Sequence, residues 1–226
     1  MQAKRLSSAR GRIVEDILIL SPSARIVRDC AAKLAAFREG NDGYSYLAYR
    51  PQTPPDRLLP EDLAVTLAFN SRAGGRAFQS LVAHCEDVDL VAIPDKPLAE
   101  ATPGEMEAVV DVIDQMTSWD GFRISLATKT LHKKRPNLIP VLDNQAIFEA
   151  YMEPRWPERH TKADSWWGKQ LIRTALQAVF ADLHRSENQE SWRILAALDP
   201  ALTQIETLDM VWWKYFRELE PVAGPR

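Results

Sequence analysis

The sequence predicts a mainly α-helical protein. Three observations carry that prediction. Apolar residues recur every three or four positions through most of the chain. Few segments alternate with period two, as a half-buried strand would. The fifteen prolines mark many of the element ends. With 226 residues the chain is long enough to bury a sizeable core, and it reads as a single helical domain over 1–226.

The elements follow in order. The N-terminal "MQAKRLSSARGRIVEDILIL" carries four basic residues before a short apolar stretch, with Glu15 and Asp16 beside it. No small-residue cleavage site follows, so it reads as the start of a helix or strand and not as a signal peptide. Over 24–38, Ile26, Val27, Cys30, Leu34 and Phe37 have helical spacing. Residues 40–60 read as a long loop from their Gly and Pro content. The stretch 60–71 opens with Pro60, Glu61 and Asp62, which suits the positive end of a helix. "RAGGRAFQSLVAHC" gives another helix after a break at Asn70–Ser71, and "LVAIPDKPLAEATP" is a connector. "PGEMEAVVDVIDQMTSW" is amphipathic, with Met106, Val109, Val110, Ile113 and Met116 on one face. A turn at 119–123, a helix near 124–134, a Pro-bounded loop at 135–141 and a helix from Asp143 come next. Three further helices are expected in "DSWWGKQLIRTALQAVFADLHRS", "NQESWRILAAL" and "TQIETLDMVWWKYFREL".

Composition narrows the function. The formal net charge is −3, so the bulk charge does not advertise nucleic acid and any such role needs a local patch. Cys30 and Cys85 are too few and too far apart for a metal knuckle or a disulfide scaffold, and read as buried thiols of a reducing, cytoplasmic compartment. No apolar run reaches the roughly 18 residues of a membrane span. No cofactor is expected.

A local patch does exist. Between 119 and 136, Arg123, Lys129, Lys133, Lys134 and Arg135 oppose one acid, Asp120, for a local charge of +4 with His132 neutral. Gly121 supplies a turn between two helices. Such a turn presents unpaired backbone N–H groups at the start of the second helix, where a phosphate fits. The basic side chains would neutralise further phosphates. The same residues also fit a solvated helix face. Asp143, in "NLIPVLDNQAIFEAY", stands where a helix begins. It fits an N-cap, and equally a carboxylate kept ionised and aimed at a cleft, able to stabilise a cationic sugar or orient a water.

The region 104–152 resembles the core motif of the helix-hairpin-helix base-excision DNA glycosylases. "WDGFRIS" occupies the hairpin, and "PVLDNQAI" is similar to the aspartate motif of the adenine-mismatch branch. Ser125 falls where that superfamily carries a Schiff-base lysine or, in the adenine-mismatch branch, a serine. Asp143 lies eighteen residues later, as the family's aspartate does. The resemblance implies a helical glycosylase-like fold, DNA as partner with RNA a second possibility, and Asp143 as the catalytic carboxylate. Gly121 matches the first hairpin glycine, while Arg123 stands at the second. No lysine at 125 means no imine and no lyase step. The family's cluster-binding cysteines and the glutamate of its adenine-specific members have no counterpart. A second resemblance, through "RLLPEDLAVTLAFNSRAGGRAFQSL", "LATKTLHKKRPNLIPVLDN" and "TQIETLDMVWW", is to an uncharacterised bacterial family frequent in actinobacteria, and implies that these helices pack in one domain.

Lys129, one turn beyond Ser125, is assigned a phosphate contact or a surface role. Trp156, in the Pro-flanked "EPRWPERH", is the candidate pocket wall or DNA wedge. Trp212 and Trp213 read as core. "SRAGGR" (71–76) has two glycines but no P-loop Lys-Thr pattern and is not read as a phosphate loop. A binding module without chemistry and a helical interaction domain stand as alternatives to the enzyme.

Overall fold

A computed structural model describes residues 16–21, 25–69, 73–142 and 168–219. Asp143 and Trp156, together with the helix expected from Asp143, lie outside them.

The chain is mainly α-helical, with nine α-helices and one two-stranded ribbon among the described residues. Strands β1 (Leu18–Leu20) and β2 (Arg25–Val27) pair antiparallel, with Ile19 opposite Ile26. This ribbon divides the expected helix over 24–38. Ile26 and Val27 are β-branched and join the ribbon, and Asp29 then takes a left-handed conformation (φ 54°) that breaks the segment before α1 (Cys30–Glu39). The opening N–H groups of α1 are satisfied from outside: Cys30 N donates to the Asp16 carbonyl (3.2 Å) and Ala31 N to the Asp16 carboxylate (2.5 Å).

The expected loop over 40–60 also contains a helix, α2 (Asn41–Ala48). Burial of Tyr46 against Phe37 (ring centroids 5.9 Å apart, edge to face) outweighs its Gly and Asp content. A 3₁₀ turn (Pro60–Ala64) runs into the short α3 (Val65–Ala68). Helix α4 spans Gly75–His84 and α5 spans Pro103–Thr117. The start of α5 is a capping box: Thr102 Oγ1 accepts from Glu105 N, and Glu105 accepts from Thr102 N. Then come α6 (Ile124–His132), α7 (Lys169–His184), α8 (Gln189–Leu198) and α9 (Gln204–Leu219).

Helix α1 lies against α2, α8 and α9, and α5 lies against α6 and α7. One hydrophobic cluster runs through all of these, from Leu18 in β1 to Trp212 in α9. Trp212 is buried, in keeping with its core assignment. The outer edge of β1 is closed by a side chain. Asn188 Oδ1 accepts from Ile19 N (2.7 Å) and its Nδ2 donates to Ile19 O (3.0 Å), so the amide stands in for a missing strand. Ser21 N and Oγ both donate to the buried Asp182 carboxylate of α7. No helix among the described residues is long and apolar enough to cross a membrane.

Candidate nucleic-acid interface and the loop before Asp143

Helices α5 and α6 are joined by a tight turn. Phe122 N donates back to Trp119 O (3.0 Å), and Gly121 has φ +82°. Gly121 answers two demands at once. An L-residue rarely adopts that φ, and a Cβ there would lie 2.6 Å from Ala77 N in α4. The turn is seated on α4 by backbone contact, reinforced by Ser80 Oγ donating to Asp120 O (2.8 Å).

This seating brings the beginning of α4 beside the turn that leads into α6. Neither helix has a side-chain N-cap. Arg123, the residue before α6, is extended and exposed. Arg76, in the first turn of α4, has its side chain 79% exposed and 3.8 Å from the equally open Asp120. Ser125 is half-buried on the first turn of α6. The stretch 74–76, which carries no P-loop pattern, is thus a neighbour of the hairpin. Only the paired glycines hinted at it, and they gave no partner.

The rest of the basic run requires a correction. Lys129, Lys133, Lys134 and Arg135 are buried, not a solvent-facing patch. Lys129 Nζ lies 5.6 Å from the Phe69 ring centre. Lys133 Nζ sits 3.8 Å above the Tyr46 ring and 3.4 Å from Glu206 Oε1; burial pulls its pKa down and Glu206 pushes it back. Lys134 Nζ bonds Asp62 Oδ1 (3.0 Å), Thr53 Oγ1 (2.5 Å) and Pro54 O (2.8 Å). Arg135 donates to the carbonyls of Leu90 (2.6 Å), Ile93 (2.8 Å) and Pro55 (2.7 Å). For Lys133 the physical reason is the buried Glu206 carboxylate, and for Lys134 and Arg135 it is largely backbone satisfaction. The loops at 53–55 and 90–93 carry carbonyls that face inward, and a guanidinium has enough donors to meet several of them.

His132 completes this framework. Its Nδ1 lies 2.6 Å from Ile139 O, which can only accept, so Nδ1 carries the proton and Nε2 accepts from Tyr46 Oη (2.7 Å). Burial, followed by the Lys133 charge, pulls its pKa down to about 4, so the ring is neutral at pH 7.

The loop after α6 is held along its whole length. The amides of Leu138 and Ile139 donate to Arg135 O (3.1 and 3.0 Å). Val141 N donates to Asp209 Oδ2 of α9 (3.2 Å), and Leu142 N to Thr128 Oγ1 of α6 (3.1 Å). Pro140 has no N–H. Every backbone donor from 138 to 142 is therefore bonded, and the chain is fixed up to the residue before Asp143. Tyr46, Asp62, Thr128, Glu206 and Asp209 were not legible as parts of this framework, because the loop they serve is remote from most of them in sequence.

Both cysteines are buried free thiols, and burial first of all pushes Cys30 up to about 12, which keeps it inert. Among the described residues no three His, Cys, Asp or Glu side chains converge as a metal ion would need.

No curated protein and no solved structure matches the chain. A family match covers residues 34–216, from the middle of α1 to near the end of α9, and takes in the hairpin, α6, the held loop and Asp143. By that match the chain belongs to DUF6308, a family of unknown function.

Proposed function

We propose that this protein binds nucleic acid at the hairpin and cleaves the N-glycosidic bond of a nucleotide rotated out of the stack. Arg123, Arg76 and the open amides at the start of α6 grip the phosphate backbone. Asp143 stabilises positive charge on the sugar as the bond between C1′ and the base nitrogen breaks, and water adds at C1′. Ser125 in place of a lysine gives no imine, so the product is an abasic site in an uncut strand.

The observation that carries this reading is the arrangement of α6. Arg123 is exposed immediately before its first turn and Ser125 is half-buried in it, while the helix itself is buried and tied through Thr128 to the loop that leads to Asp143. One rigid element thus joins the expected grip to the expected carboxylate.

The experiment is a panel of labelled duplexes carrying uracil, oxidised guanine, adenine mismatches, alkylated bases and hypoxanthine. Each is incubated with wild type and with Asp143→Asn, then treated with alkali to reveal abasic sites. Cleavage by wild type alone supports the glycosylase and names the base. Salt-sensitive binding without cleavage gives a non-catalytic DNA- or RNA-binding module.

A second reading is a helical interaction domain. The observation favouring it is that Lys133 is paired with Glu206 and Lys134 with Asp62, leaving Arg76 and Arg123 to face solvent at the hairpin beside Asp120. Absence of both binding and cleavage selects it.

A further inference from the structure

We propose that Asp120 guards the hairpin grip: in the free protein its carboxylate stands beside Arg76, and a phosphate of the nucleic-acid backbone takes its place on binding; this rests on the function proposed above. Arg76, Ser80 and His84 stand at i, i+4 and i+8 of α4, along one flank of the helix. All three meet the turn between α5 and α6. Ser80 Oγ donates to Asp120 O (2.8 Å), and the His84 ring stacks on Trp119 (centroids 5.5 Å apart, 27° between planes). With Gly121 seated on the Ala77 backbone, the chain is held on both sides of Asp120. The carboxylate is thereby presented to Arg76, with Oδ2 3.8 Å from Nη1 and the two side chains 71% and 79% exposed. An ion pair so open and so long contributes little to stability, so the fold does not depend on this acid. Its charge acts instead on whatever approaches Arg76 and the exposed Arg123. An incoming phosphate must displace the carboxylate from the guanidinium and overcome its repulsion. Asp120 therefore sets how tightly the hairpin holds a backbone, by competing for the cation that the backbone needs.

The test measures binding of the full chain to a fluorescently labelled, undamaged DNA duplex by anisotropy, at low and at moderate salt. Asp120→Asn keeps the shape of the side chain and leaves untouched the carbonyl that Ser80 bonds. It should bind about three- to tenfold more tightly than wild type at low salt, with a salt dependence steeper by up to about one counterion. Arg76→Gln retains Arg123 and should weaken binding about threefold. In that background Asp120→Asn should gain less than about twofold, because the cation it guards is gone. Urea midpoints close to wild type show that the variants are folded. Binding by Asp120→Asn where wild type shows none also supports the guard. Unchanged or weaker binding by Asp120→Asn, or an equal gain in both backgrounds, overturns the guard while leaving the hairpin grip intact. A duplex that neither wild type nor Asp120→Asn binds overturns the grip itself, and this inference with it.

Discussion

Gly121 and Ala77 touch backbone to backbone: a Cβ at 121 would stand 2.6 Å from the Ala77 nitrogen and 3.0 Å from its Cα. The contact welds the hairpin to α4, and no flexible side chain lies between to give way. Gly121→Ala should lower stability by about 2–4 kcal/mol, combining left-handed strain with the clash. Urea titration reads this as a lower midpoint at unchanged slope.

Arg135 should tolerate no substitution, including the charge-preserving one. Its three nitrogens reach carbonyls on two separate loops, at 55 and at 90 and 93. A lysine brings its donors to one point and leaves at least one carbonyl buried without a partner. Both Arg135→Lys and Arg135→Met should cost about 3 kcal/mol or more, with Lys recovering little, by the same titration.

The Lys133–Glu206 pair should behave asymmetrically. Glu206→Gln keeps an acceptor for Thr203 N but leaves the Lys133 ammonium buried without its carboxylate. The expected loss is roughly 3 kcal/mol. Adding Lys133→Met removes the stranded charge and should recover most of it, a coupling that a double-mutant cycle measures directly.

His132 ties stability to pH with a definite sign. Its folded pKa lies below the ordinary value of 6.5, at about 4, so between these limits the unfolded chain holds a proton that the folded chain lacks. Its contribution is complete above 6.5 and is lost as pH falls towards 4, by up to roughly 3 kcal/mol. Denaturation midpoints measured from pH 7.5 to 4 should decline, and His132→Asn should flatten that decline.

Helical periodicity recovered α4 through α9 because each buries an apolar face. It failed at 24–38 because Ile26, Val27, Cys30 and Leu34 fit a helical template straight through the left-handed break at Asp29, for which one sequence carries no mark. The long Gly- and Pro-rich stretch concealed α2, whose reason to form is Tyr46 in the core and bonded to His132. At the site, the Gly121 turn was legible, since a tight turn between two amphipathic stretches has few alternatives. The destiny of the basic run was not. Charge is visible along a sequence, but the partner of Lys133 is seventy-three positions away, and a lysine destined for a buried carboxylate looks like one destined for a phosphate.

Asn188 closing the edge of β1 has a consequence for how the molecule is made. Residues 16–21 leave the ribosome well before their partners, since the groups that satisfy Ile19 and Ser21 belong to Asn188 and Asp182, 169 and 161 positions later. During translation the ribbon carries an unfinished edge until Asn188 has emerged. A contact of such long range is slow to form, and an open strand edge invites pairing with other chains while it waits. Truncations that stop before residue 188 should therefore aggregate through the β1 segment, and a soluble peptide spanning 16–27 should be captured by a chain that lacks it.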